Sequence, residues 1–153
     1  MIQLRNISLA FGEQTLFDDL SLILNGQERM GLVGLNGSGK TTLLKAIAKD
    51  HPIDDGTIQY SNNKKIGYMP QEVILTSTKS VLDETVSALE NVDETEIEAE
   101  RAYTKKLLMG LGFSLDRMDE PVSNLSVGWK MRIVLAKLLL QKADFYQWLP
   151  VCA

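Results

Sequence analysis

The stretch from Gly34 to Thr41 constrains the fold of this chain more than any other part of its sequence. It reads GLNGSGKT and satisfies the pattern GxxxxGK[ST]. Nearly continuous apolar residues between Arg29 and Leu35 lead into it, which is typical of a strand buried on both faces of a parallel sheet. Apolar residues at helical spacing follow it, so we expect a helix from about Gly39 to Lys49 that ends before Pro52. A glycine-rich loop between a buried strand and a helix predicts an α/β fold.

The chemistry of the loop is that of a phosphate-binding site. Its glycines allow a turn tight enough for successive backbone N–H groups to point inward, and the positive end of the following helix adds to the attraction for phosphate. We expect Lys40 to reach the β- and γ-phosphates, the Thr41 hydroxyl to ligate Mg²⁺, and Thr42 to add a phosphate hydrogen bond. The expected ligands are ATP and Mg²⁺, and a chance glycine-rich turn is the alternative. The other expected nucleotide contacts come from the loop itself, at Gly34, Leu35, Asn36, Gly37, Ser38 and Gly39.

The composition is that of a globular domain. A length of 153 residues suits one domain, and no apolar run approaches the roughly 20 residues that span a bilayer. Neither a secretory nor a transit peptide is visible at the start, so we expect a cytoplasmic protein. The single cysteine, Cys152, excludes an internal disulfide, and the net charge of -4 argues against a surface that generally coats nucleic acid.

The remaining periodicity predicts strands first and helices later. The segments that read as strands are 2–9, 16–23, 57–60 and 66–69, the first an edge strand that begins an antiparallel arrangement. The acidic run from Asp83 to Glu100 is most simply a solvated helix face. Apolar residues spaced by three and four predict a second strong helix from Val127 to Leu140. The lone His51 is most simply a helix-end residue.

A second motif narrows the class. Leu125 to Trp129 reads LSVGW, and with the following KMR it resembles the signature of ATP-binding-cassette (ABC) proteins in its ABC-F form, where tryptophan commonly replaces glutamine. The chain resembles the nucleotide-binding domain of these proteins from Met1 to about Asp144. The resemblance implies a P-loop NTPase fold with an antiparallel β subdomain and a helical subdomain, incomplete at the C-terminus. The implied segments are a β subdomain with the loop core (1–78), a helical subdomain (79–122), the signature and its helix (123–144), and an aberrant tail (145–153).

The resemblance also assigns roles to residues outside the loop. Ser126 and Gly128 would contact the γ-phosphate held by an opposite cassette, so that two ATP molecules lie between two cassettes. Gln71 resembles the family's Q-loop glutamine, which senses Mg²⁺ and the attacking water, and a surface glutamine is the alternative. Phe11 lies where these proteins stack an aromatic on adenine, although a core residue would look the same. Val127 takes the place of the first glycine of the family's glycine pair, and a β-branched residue there must be helical or extended.

The catalytic carboxylates of the family have no counterpart in this sequence. In ABC domains the signature helix leads into a strand that ends in the Walker B aspartate, followed by the catalytic glutamate. Counting from Asp144 places these positions at Leu149 and Pro150, and we expect Gln147 and Trp148 to interrupt the strand. We therefore assign no catalytic residue and expect a truncated or frame-shifted cassette that binds ATP without hydrolysing it.

Three functions remain open. The first is an ABC-F ATPase acting on the ribosome in translation, whose partners by family are a second cassette and ribosomal RNA. The alternative is the ATP-binding subunit of an ABC membrane transporter, although Trp129 and the short acidic segment from Thr78 to Leu111 favour the first. The third is a non-catalytic module that caps another cassette through Ser126 and Gly128. An unrelated P-loop kinase would leave the LSVGW stretch unexplained.

Overall fold

The computed structural model describes residues 1–26, 28–61, 65–69, 75–89, 93 and 95–148. The elements, in chain order, are β1 (Ile2–Phe11), β2 (Gln14–Leu24), α1 (Lys40–Ile47), β3 (Asp55–Tyr60), β4 (Ile66–Met69), α2 (Val81–Val86), α3 (Ile97–Gly110), two 3-10 turns (Asp116–Asp119 and Val122–Asn124), α4 (Val127–Leu140) and β5 (Phe145–Trp148). They form two compact units, one of residues 1–68 and 144–147, the other of residues 69–143 with Trp148. The four predicted segments do not map one by one onto these units and stay a prediction.

The first unit is built on a three-stranded antiparallel sheet in the order β2-β1-β3. Ile2 pairs with Leu24 on one side and with Tyr60 on the other. The prediction that the first strand lies at an edge is therefore wrong, because β1 is central. Alternation reveals which face of a strand is buried, but it does not reveal how many neighbours the strand has.

Helix α1 covers this sheet and carries the end of the glycine-rich loop. Its buried residues Leu43 and Ile47 belong to one hydrophobic cluster with Ile2, Leu4 and Ile7 of β1. Burial of a side chain of this size stabilises the fold by about 1.5–3 kcal/mol. The predicted helix is thus confirmed, although it ends two residues earlier than expected, and its packing fixes the base of the loop.

The segment between β2 and the loop is not the buried strand that its sequence predicts. Residues 28–35 form no strand, and Val33 and Leu35 are 89% and 85% exposed. A cavity of about 160 Å³ is lined by residues 30–32 and by residues 145–147 of β5, together with residues of β1, β2, α1 and β4. A strand buried on both faces needs neighbours to pair with. Within the described residues, β5 is paired with β4 alone and the segment has joined neither sheet.

The start of the presumed aberrant tail is an ordered strand. Gln147 and Trp148 lie inside β5, so the prediction that they interrupt a strand is wrong. The side-chain Nε2 of Gln147 donates to the carbonyl oxygen of Leu44 at 2.8 Å, which satisfies a polar group that would otherwise disfavour this position. The backbone N–H of Asp144 also donates to the carbonyl oxygen of Lys65 at 2.9 Å. Leu149 and Pro150 lie outside the described residues.

The second unit packs α2, α3 and α4 around an apolar core. Its fully buried members include Val81, Leu108, Met118, Val122 and Ile133. The predicted helix from Val127 to Leu140 is confirmed as α4. No helix among the described residues is long and apolar enough to cross a membrane.

One acidic residue of the second unit departs from the predicted solvated face. Glu84 is only 7% exposed and forms an ion pair with Lys137 of α4. Burial by itself raises the pKa of Glu84. Hydrogen bonds from Lys137 and Ser77 and the charge of Lys137 lower it by more than that, so the pKa of the carboxyl lies below its ordinary value. The pattern of charges along the sequence could not reveal this ion pair, because Lys137 lies 53 residues from Glu84.

Candidate functional site

The turn of the loop depends on Gly39. This residue is the N-cap of α1 with φ of 84°, in the left-handed region. An added Cβ would lie 2.9 Å from Cε2 of Phe17 and 3.2 Å from Cβ of Leu16. Both the backbone conformation and the available space therefore require glycine. Leu16 and Phe17, which support the loop from β2, were missed as site residues, because apolar alternation identifies them only as strand residues.

The first turn of α1 presents a free, positively polarised helix end to the loop. Gly39 provides no side-chain cap, the first turn holds no acidic residue, and the carbonyl oxygen of Gly39 accepts from the N–H of Leu43 at 2.8 Å. The N–H groups before Leu43 have no partner within the helix, which is what attracts an anion to a helix N-terminus. Thr41 and Thr42 lie half-buried in this turn.

The amine of Lys40 lies against the loop. Its Nζ donates to the carbonyl oxygens of Gly34 at 2.8 Å and Leu35 at 2.7 Å. The loop is also closed by a hydrogen bond from the N–H of Ser38 to the carbonyl oxygen of Leu35, at 3.2 Å. Among the described residues this cation thus contacts neutral oxygens only. A negatively charged phosphate oxygen attracts the ammonium more strongly than a carbonyl dipole does, because two full charges then interact.

Two further residues, Phe11 and Gln71, are predicted to contact the nucleotide from outside the loop. Phe11, the last residue of β1, is 72% exposed, so the alternative that it fills the core is excluded. Its stacking on adenine stays a prediction. Gln71 lies outside the described residues, and so does its expected role at the metal.

Metal binding at the loop depends on few protein groups. The described residues contain no group of three or more His, Cys, Asp or Glu that could hold a metal ion. The Thr41 hydroxyl is a hard oxygen donor in the first turn of α1, and Mg²⁺ characteristically takes one or two protein oxygens with phosphate oxygens and water. The residues present therefore fit an ion that arrives with a nucleotide.

The signature-like stretch forms the N-terminus of α4, in the second unit. Ser126 is the N-cap, in extended conformation and without a side-chain hydrogen bond to the helix, and Gly128 lies exposed in the first turn. Val127 is the first helical residue, which is one of the two conformations, helical or extended, that its branched side chain allows. The first turn holds no acidic residue that would offset the positive helix end.

The fold and the loop define a P-loop nucleotide-binding domain. The family model described as ABC transporter matches residues 17–148, more than half of the chain. The chain therefore belongs to the ABC transporter family, in its ATP-binding part, and domains of this family bind ATP with Mg²⁺.

Individual relatives are similar over nearly the whole chain. Putative ATP-binding protein YdiF of Bacillus subtilis (strain 168) is 39% identical over 147 residues, which is 95% of this chain and 22% of that protein. Ribosome protection protein VmlR of the same organism is 32% identical over 94% of this chain and 25% of that protein. The chain thus spans about a quarter of these relatives or less.

A solved structure shares the fold. The ATP-binding subunit of an ABC transporter superposes with a TM-score of 0.79 at 20% identity, covering 97% of this chain and 65% of that one. At this identity the likeness concerns the fold alone. The predicted α/β architecture of an ABC nucleotide-binding domain is confirmed.

Proposed function

We propose that this chain binds ATP with Mg²⁺ at residues 34–41 and does not hydrolyse it. The proposal rests on the geometry around Gly39 and Lys40. Gly39 is a left-handed glycine at the free end of α1, and the amine of Lys40 is held, among the described residues, only by loop carbonyl oxygens. The amine of Lys40, the free N–H groups of the first turn of α1 and the hydroxyl of Thr41 therefore belong to one loop and the helix turn that follows it.

Each group has a defined part in binding. Lys40 exchanges the carbonyl oxygens of Gly34 and Leu35 for phosphate oxygens, and the free N–H groups of the first turn of α1 donate to the phosphates. Thr41 gives its hydroxyl oxygen to Mg²⁺, whose charge neutralises part of the triphosphate. Phe11 offers an exposed ring to adenine. Gln71 is assigned to the metal by resemblance alone.

A second cassette completes the site across the nucleotide. Ser126 and Gly128 lie exposed at a helix end that has neither an acidic residue nor a side-chain cap. Lys130 and Arg132 add positive charge within the next turn, where helices ordinarily favour negative charge. This uncompensated positive end suits the γ-phosphate of ATP bound to the opposite cassette.

Hydrolysis is not expected because the two positions counted forward from Asp144 lack the carboxylates that the family uses. The positions that correspond to the family's metal-orienting aspartate and catalytic glutamate hold Leu149 and Pro150, which carry no ionisable group. A catalytic base and metal positioning are both needed for turnover. A steady-state phosphate-release assay on the purified chain should give the same background rate as Lys40→Ala, and turnover by the wild type above that variant would contradict the proposal.

For the parent protein of this cassette, as distinct from the chain itself, we propose a cytoplasmic ABC-F ATPase that acts at the ribosome. The LSVGW form of the signature supports this, and one of the relatives is named a ribosome protection protein. The alternative is a transporter subunit, and it is supported by the description of the matching family model as ABC transporter. Cosedimentation of the chain with ribosomes in the presence of ATP would favour the first, and capture of a membrane permease would favour the second.

A further inference from the structure

The N-terminus of α4 lacks a cap of its own. Ser126 makes no side-chain hydrogen bond to the helix, and Val127 and Gly128 are exposed. Trp129 is the first side chain of the helix that packs against the core of the second unit. Its ring centroid lies 4.7 Å from that of Phe113, with an angle of 62° between the planes. This edge-to-face contact is the favoured geometry for two aromatic rings.

Two arginines hold the same indole. The guanidinium carbons of Arg117 and Arg132 lie 4.2 Å and 4.3 Å from its ring centroid. Nη1 of Arg132 also donates to the carbonyl oxygen of Leu111 at 3.0 Å, and Nε of Arg117 lies 3.5 Å from Oε1 of Glu120. The ring is therefore contacted by groups anchored beyond the end of α3, on the first 3-10 turn and on α4 itself.

We infer that Trp129 is a positioning residue for the first turn of α4. It acts through the three side chains that contact it and does not touch the nucleotide. The inference rests on the proposed function, because the residues that Trp129 positions, Ser126 and Gly128, are those proposed to contact the γ-phosphate. A slip of one residue moves a helical group by about 1.5 Å along the axis and about 100° around it. In catalytic sites a misplacement of about 1 Å can lower the rate roughly a hundredfold. A phosphate contact likewise depends on the position of its donors, because hydrogen bonds weaken steeply when distance and angle depart from the ideal.

Amide hydrogen exchange measured residue by residue by NMR tests this inference on the chain itself. In Trp129→Leu, the amides of residues 129–132 should exchange at least about tenfold faster, because the first turn opens locally. Those of α2 and of the middle of α3 should keep their rates. Trp129→Phe should restore most of the protection, since it keeps an aromatic ring against Phe113. Arg132→Lys, which keeps the charge and loses the planar stack, should give an intermediate rate.

The matched control is Tyr103→Leu, which removes an exposed aromatic from α3 of the same unit and should leave the first turn of α4 unchanged. Unchanged exchange at 129–132 in Trp129→Leu would overturn the inference. A uniform rise over all three helices would also overturn it, because Trp129 would then serve only the stability of the core.

A second readout links the position to the phosphate contact. Sedimentation velocity with ATP and Mg²⁺ should show pairing of the wild-type chain at least about tenfold stronger than that of Trp129→Leu. ATP affinity at the loop, in the other unit, should be equal for both. A wild type that binds ATP but does not pair contradicts the proposed sandwich, and the exchange measurement still decides the positioning role by itself.

Discussion

The side-chain amide of Gln147 donates to the carbonyl oxygen of Leu44 over 2.8 Å, which ties β5 to the helix that begins in the phosphate loop. The same carbonyl accepts from the N–H of Ala48 at 2.9 Å, so it stays satisfied when the amide is removed. Gln147→Leu should therefore lower the free energy of unfolding by about 0.5–1.5 kcal/mol, the usual net value of one hydrogen bond.

Urea denaturation of the two proteins measures this difference. Gln14→Leu is the control, because Gln14 is exposed on β2 and its replacement should change the stability by less than about 0.5 kcal/mol. Equal stability of Gln147→Leu and wild type would show that the bond does not hold β5.

Gly39 and Gly37 form a matched pair for the role of space in the loop. Both have positive φ, 84° and 81°, but of the two only Gly39 would bring an added Cβ within 4 Å of atoms in the described part of the chain. Gly37→Ala should cost about 1–2 kcal/mol for the left-handed backbone. Gly39→Ala should cost about 1–3 kcal/mol more, because Phe17 must move. Thermal or urea unfolding gives both values, and equal losses would contradict the crowding at Gly39.

Val33 tests whether the segment before the loop is exposed. Because its side chain is 89% exposed, Val33→Lys should change the free energy of unfolding by less than about 0.5 kcal/mol. Leu4→Ala, in the core of the sheet, should cost about 2–5 kcal/mol in the same experiment. A loss of several kcal/mol in Val33→Lys would mean that the segment forms the buried strand its sequence predicts.

The ion pair between Glu84 and Lys137 predicts a loss of stability in acid. The pKa of Glu84 is lower in the folded chain than its ordinary value of 4.5. As the pH falls through about 4.5, the carboxyl of the unfolded chain therefore takes up a proton before that of the folded chain does. Stability is then present above that pH and falls as the pH drops towards the folded pKa. Glu84→Gln should be less stable at pH 7 and should lose less stability on acidification. Unfolding curves between pH 7 and pH 3 measure this, and parallel losses in both proteins would contradict it.

Local features of this chain were predictable from its sequence, and long-range pairing was not. The glycines at 37 and 39 indicated the loop, because few other sequences allow that turn. Periodicity located α1 and α4, and the branching of Val127 limited it to a helical or extended conformation, of which the structure has the helical one. The central position of β1, the unpaired state of residues 28–35 and the place of Gln147 in a strand all depend on partners distant in sequence. The pairing of Glu84 with Lys137 depends on such a partner too.

The central claim is that Lys40 binds the phosphates of ATP. It is tested most directly by equilibrium titration of the chain with a fluorescent ATP analogue and Mg²⁺. Lys40→Ala should bind at least about tenfold more weakly than wild type, since hydrogen bonds to a charged group contribute about 1.5–3 kcal/mol. Lys45→Ala, in the last turn of the same helix, should bind like the wild type. Equal affinities of the wild type and Lys40→Ala, or no binding by the wild type, would contradict the account.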